Sequence, residues 1–150
     1  MPRTIPPRIT PISELLNGEY TDDLKAAYPD VQPPHYPTGM FLLCQLRVPK
    51  RKHGTIILAD ETRDAEKFRV QVALVRAMGP SAFKRRDNGA DWPERAWCQP
   101  GDFVRVPMYG GDRVAVPYGK GDDEALFITI KDVDVTGIII GDPLNVKSVI

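Results

Sequence analysis

From Met40 onward the chain alternates short apolar runs with turn residues. In Met40–Val48, residues Met40, Leu42, Cys44, Leu46 and Val48 share one side of a period-two repeat, and Phe41, Leu43, Gln45 and Arg47 the other. This predicts a strand with one apolar face and one face turning polar. Phe68–Met78 repeats the pattern, with Phe68, Val70 and Val72 against Arg69, Gln71 and Ala73, and Gly79-Pro80 ends it. Phe103–Val106 follows the turn Pro100-Gly101-Asp102, Arg113–Val116 follows Gly110-Gly111-Asp112, and Ala125–Ile130 sets Leu126, Ile128 and Ile130 on one side. Asp132–Val135 suits a single helical turn and Thr136–Ile140 a last short strand. Short strands so spaced indicate an all-β domain, a small barrel or sandwich.

Residues 1–39 have another texture. Eight of the 15 prolines fall within residues 1–37, where each fixes φ and removes a backbone donor, so continuous sheet pairing is not expected. Ser13–Leu16 predicts one helical turn ended by Asn17-Gly18. Thr21 can cap a second, with Asp22 and Asp23 at its positive end and Leu24, Ala27 and Tyr28 as a small apolar face. Tyr28–Pro37 reads as polyproline II. The segment is therefore expected to be an extended proline-rich arm outside the core. Residues 40–141 form the folded domain and 142–150 a C-terminal tail. Two further stretches do not read as core: Lys50–Lys67, polar apart from Ile56-Ile57-Leu58, and the long charged Ser81–Ala96, of a length that is more often functional or disordered.

Composition narrows the function. The chain has 150 residues, 42% of them apolar, with 20 basic and 20 acidic side chains. Zero net charge argues against general nucleic-acid or anionic-membrane binding. No apolar run approaches the roughly 20 residues that span a bilayer, and no hydrophobic leader opens the sequence, so secretion is not expected. Cys44 and Cys98 lie 54 positions apart without metal-ligand spacing; reduced, partly buried thiols are the simplest reading, with a disulfide as the alternative. His35 and His53 lack the partners of a catalytic triad. No cofactor, metal site or enzymatic activity is expected.

The order of motifs resembles the GroES-type co-chaperonins (the chaperonin-10 fold), most closely their phage-encoded branch. The resemblance runs from Met40 to about Ile140. The first strand leads into basic Pro49-Lys50-Arg51-Lys52, then Gly54-Thr55-Ile56-Ile57-Leu58 is similar to the family's G-G-I-V-L mobile loop. Val75-Arg76-Ala77-Met78-Gly79 resembles V-L-A-V-G, and Pro100-Gly101-Asp102-Phe103-Val104 resembles V-G-D-I-V. Asp123–Ile128 and Asp132–Val135 resemble the closing segments. The resemblance implies a small irregular GroES-like β-barrel assembling as a homo-oligomeric ring, seven-membered in the family, that caps a chaperonin chamber in phage protein folding. It places the ring in the bacterial host cytoplasm. Ile56, Ile57 and Leu58 would bind the chaperonin apical domains, with Lys50, Arg51, Lys52 and Gly54 as the loop stem. Ser81–Ala96 would take the place of the roof hairpin, carrying Lys84, Arg85, Arg86 and Trp92. The alternative is a virion structural protein, a capsid decoration or other head component, whose arm docks on neighbouring subunits.

Each candidate also has a simpler explanation in structure alone. Ile56–Leu58 could be a hairpin strand buried in its own core. Lys50–Lys52 and Lys84–Arg86 could be solvated faces. Gly110-Gly111 and Gly119-Lys120-Gly121 suit turns, since the phosphate-loop pattern is absent. Asp122-Asp123-Glu124 lacks the alternating spacing of a calcium loop.

Overall fold

A computed structural model describes residues 8–48, 52–53, 56–57, 71–119 and 123–146. It is mostly strand, in one antiparallel sheet, with few and short helices. Helices α1 (Ile12–Leu16) and α2 (Asp22–Ala27) come first. Strands β1 (Phe41–Leu46), β2 (Lys52–His53), β3 (Ile56–Ile57), β4 (Val72–Met78), β5 (Phe103–Arg105), β6 (Asp112–Pro117), β7 (Glu124–Lys131) and β8 (Gly137–Ile138) follow, with 3-10 turns at Asp132–Asp134 and Pro143–Asn145. Six strands pair in the order β6-β7-β1-β4-β5-β8, while β2 and β3 form a separate two-stranded sheet. The strands expected from the alternation are present within a few residues of their expected bounds; residues 68–70 lie outside the described residues.

One face of the sheet carries Leu42, Cys44, Leu46, Ala73, Val75, Val104, Leu126, Ile128 and Ile130, packed as a single core. The other face was expected to turn polar along β1, and there the structure differs. Leu43, Gln45, Leu74, Arg76 and Phe127 are all buried. What covers them is the N-terminal segment. Ile9 packs with Leu43, Ala125 and Phe127, and Ile12, Leu24 and Tyr28 pack with Leu74, against Phe103 and Leu144. The expectation of an arm outside the core is thus corrected for its described residues. Proline excludes sheet pairing but does not prevent side chains from packing, and Ile12 and Tyr28 are fully buried.

The two helical turns expected in that segment are present. Asn17 ends α1 at φ 47°, and the Thr21 hydroxyl accepts from the Leu24 amide to start α2. Pro11, at the N-cap of α1, has no side-chain oxygen to offer. The Asp30 carboxylate supplies the acceptor instead, taking the Ile12 and Ser13 amides at 2.9 and 3.3 Å.

Polar groups tie the segment to the sheet. Gln45 Nε2 donates to the Pro29 carbonyl at 2.7 Å. Arg76 Nη1 donates to Gln45 Oε1 at 2.6 Å and to the Val31 carbonyl at 3.0 Å. Burial lowers the Arg76 pKa, with the Asp30 charge opposing the effect. A buried polar group is tolerable when it is hydrogen-bonded, and these bonds are made by residues far apart in sequence.

Ser81–Ala96 also departs from expectation. Its tip is exposed, but Ala82 and Phe83 are buried and Trp92 and Trp97 pack on the core. The Phe83 ring meets Trp92 at 5.5 Å and Trp97 at 5.7 Å, centroid to centroid. Such aromatic pairs add roughly 0.5–1.5 kcal/mol beyond burial. The Phe83 amide donates to buried Asp132 Oδ2 at 2.9 Å, joining the loop to the 3-10 turn after β7. The loop plugs one face of the sheet because its aromatics outweigh its charged composition.

Candidate functional site

The hairpin β2–β3 carries the expected site. Lys52 pairs with Ile57 and His53 with Ile56, so residues 54 and 55 connect the two strands. Within the described residues this ladder joins no strand of the main sheet. Ile56 and Ile57 therefore sit on a hairpin that, among the described residues, pairs within itself. Lys50, Arg51, Gly54 and Leu58 of the expected loop and stem lie outside the described residues.

The roof-like loop is better defined. The Lys84 ammonium pairs with Asp91 at 3.1 Å across a β-bridge between the same two residues. Arg85 grips Asp87 through Nε at 3.0 Å and Nη2 at 2.7 Å, which holds that carboxyl below its ordinary pKa. Arg86 is exposed, and Trp92 is half-buried against Phe83. Lys84 and Arg85 are thus matched by local carboxylates, which suits a braced, solvated tip. Pairs this exposed contribute little to stability; they shape the loop.

Both thiols lie in the core and are free. Burial pushes Cys98 up to about 12 and Cys44 higher still, so each is a neutral, unreactive thiol at neutral pH. His35 Nε2 lies 3.1 Å from Thr129 Oγ1. Among the described residues, no group of three or more His, Cys, Asp or Glu side chains is placed to hold a metal. Nor is any helix among them long and apolar enough to cross a membrane.

No family model and no curated protein sequence matches the chain.

Two surface hollows lie among the described residues. A cleft of about 550 Å³ lies between the N-terminal segment and the sheet, lined in part by His35, Tyr36, Phe41, Asp112 and Lys131. A groove of about 420 Å³ lies along β8, lined by Glu94, Trp97, Val135, Thr136, Gly137 and Ile138. Exposed apolar side chains cluster in sequence around β8, with Ile138 43% and Ile140 95% exposed, and recur at Tyr109, 78% exposed. Ile138 and Ile140 fall in the last strand expected from the sequence, and Tyr109 carried no expectation. Their alternation resembles that of buried residues, and only the strand order reveals which of them an edge leaves uncovered.

Proposed function

We propose that this chain is a GroES-type co-chaperonin: a barrel-like subunit that assembles as a ring and caps a chaperonin folding chamber through the Ile56–Leu58 loop, in phage protein folding. The observation that carries the reading is the separate pairing of β2 with β3, which supports a protruding ligand over a core strand. It sits where the order of motifs calls for the chaperonin-binding loop.

A barrel is supported by connectivity. β5 and β6 are consecutive in sequence but stand fifth and first in the sheet. In a flat sheet they would lie about 19 Å apart. The connection at 106–111 could cover that only when nearly straight, yet Gly110 and Gly111 turn it with φ of 94° and 74°. Curling the sheet removes the conflict.

The energetics suit a multivalent contact. Burying each large aliphatic of Ile56–Leu58 contributes roughly 1.5–3 kcal/mol, and ordering the loop offsets much of it. One copy binds weakly, while a ring of copies binds tightly through effective concentration. The alternative virion role drew its support from an arm in need of a neighbour. The described part of that segment finds its contacts within its own chain.

The test is ATP-dependent association with a bacterial chaperonin and inhibition of its ATPase. Wild-type protein is expected to do both, and Ile57→Asp to do neither while keeping its circular dichroism. Absence of association by the wild type, together with stoichiometric copies in purified phage particles, would overturn the proposal in favour of the virion role. Unfolding of Ile57→Asp would show the hairpin to be a core element.

A further inference from the structure

The sheet ends in two edges, β6 and β8, and neither carries a further strand among the described residues. An uncovered edge offers unpaired backbone groups to another chain. Beside β8 lies the groove of about 420 Å³ described above. Its lining is apolar at Trp97, Val135 and Ile138, and Glu94 supplies a carboxylate. That carboxylate accepts the Trp97 Nε1 proton at 3.0 Å and retains lone pairs for another donor.

The loop that leads into β6 carries the matching feature. Tyr109 projects into solvent from a segment braced on both sides. Arg113 Nη2 donates to the carbonyls of Met108 at 3.0 Å and Pro107 at 3.4 Å, immediately before it. Immediately after it, Gly110 and Gly111 take left-handed φ. Gly111 lies so close to the sheet that a Cβ there would come within 2.8 Å of Ile128 Cγ1. A braced, exposed aromatic loses little freedom on binding, and tyrosines of this kind serve as interface anchors. Tyr109 does not line the groove of its own chain.

We propose that Tyr109 of one copy seats in the Trp97–Val135–Ile138 groove of the next, its ring against Trp97 and its hydroxyl donating to Glu94, so that copies join head to tail. A second copy is the occupant because both halves are present on this one chain. An apolar hollow with one acceptor meets an apolar ring with one donor. Zero net charge leaves no global repulsion between copies. A contact between two different patches is heterologous and generates a ring when its rotation closes. The inference deepens the co-chaperonin reading and rests on it for closure into a ring; the contact itself is tested without a chaperonin.

The experiment is sedimentation velocity on the full chain, with tryptophan fluorescence alongside. Wild type is expected to form a discrete oligomer. Tyr109→Lys and Ile138→Asp are each expected to be monomeric with unchanged circular dichroism. Mixed one to one, they are expected to give a heterodimer and nothing larger, because the first keeps a sound groove and the second a sound Tyr109. Should Ile138→Asp lose its fold, Thr136→Arg, at the exposed rim of the groove, takes its place. A monomeric wild type, assembly that survives both substitutions, or a mixture that stays monomeric would each overturn the contact. A chaperonin bound by wild type whose assembly ignores both substitutions would overturn the contact and leave the cap standing. An assembled wild type that is sensitive to both substitutions but never binds a chaperonin would do the reverse.

Discussion

Beside its apolar packing, the N-terminal segment is held by one buried hydrogen-bonded pair, and a double-mutant cycle on Gln45 and Arg76 tests its share. Replacing Gln45 by Leu removes the 2.6 Å acceptor of Arg76 Nη1 and the 2.7 Å donor to the Pro29 carbonyl. A buried charge then keeps the Val31 carbonyl at 3.0 Å and the Thr10 carbonyl at 3.4 Å, and its Nε already lacks a partner. Hydrogen bonds to charged groups contribute about 1.5–3 kcal/mol, and an orphaned buried acceptor costs about 1–3 kcal/mol. Gln45→Leu should therefore cost about 3–4 kcal/mol. Arg76→Met orphans Gln45 Oε1 but also removes a charge that burial opposes, so about 2 kcal/mol is expected. The double variant leaves chiefly the Pro29 carbonyl unsatisfied and should cost about 2 kcal/mol, far below the sum.

Urea unfolding followed by far-ultraviolet circular dichroism measures the three values. Trp92 and Trp97 pack with the core on the other face, so their fluorescence reports global unfolding. Limited proteolysis of residues 8–37 reports release of the segment alone. Since a domain this size is stable by only about 5–15 kcal/mol, the single variants should be cleaved in the segment well before the tryptophans respond. Costs that add to within about 0.5 kcal/mol, or a Gln45→Leu variant as stable as wild type, would refute the view that these two side chains act as a unit.

Two other outcomes follow, one from a glycine and one from two titratable groups. Gly79→Ala should lower stability by at least the upper part of roughly 1–3 kcal/mol in urea melts, because its Cβ would stand 2.2 Å from the Gly39 carbonyl oxygen and 2.8 Å from that of Thr38, both backbone atoms. Burial raises Cys98 from 9.0 to about 12, and burial followed by the Asp30 charge raises Tyr20 from 10.0 to about 12. The stability tied to these neutral forms is complete below their unfolded values and lost as pH rises toward the folded ones, so the urea midpoint should hold to about pH 9 and decline above it.

The strands were legible because both their signals are local. Alternation of Leu42, Cys44 and Leu46 gives the face, and Gly79-Pro80 or Pro100-Gly101-Asp102 gives the end. The same held for Thr21 as a cap and Asn17 as a stop. What could not be read was which local surfaces meet. Gln45 looked solvent-facing because its partners, Pro29 and Arg76, lie 16 and 31 positions away. Leu24 and Tyr28 were recognisable as an apolar face, but nothing nearby in sequence names Leu74 and Phe103 as what they cover. Phe83, at φ 58°, was hidden in a stretch whose charges suggested solvent. Of the candidate site, the Ile-Ile pair was legible as a misplaced apolar knot, whereas the groove along β8 required Glu94, Trp97 and Val135 to be brought together by the fold.

Occupancy of both sheet faces limits where this molecule can meet another. One face is closed by Phe83, Trp92 and Trp97 from the 81–97 loop, the other by Ile9, Ile12, Leu24 and Tyr28 from the N-terminal segment. Neither can be presented to a partner without first exposing buried apolar side chains, at about 25 cal/mol for each Å². Among the described residues, the sheet edges and the Tyr109 loop are open at no such cost. Were the N-terminal segment a docking arm, its release would bare Leu43, Leu74 and Phe127 together. The polar bonds from Gln45 and Arg76 hold it in register against that outcome. The segment is thus better understood as a second layer on the sheet, which leaves the sheet edges as the surfaces open to another molecule.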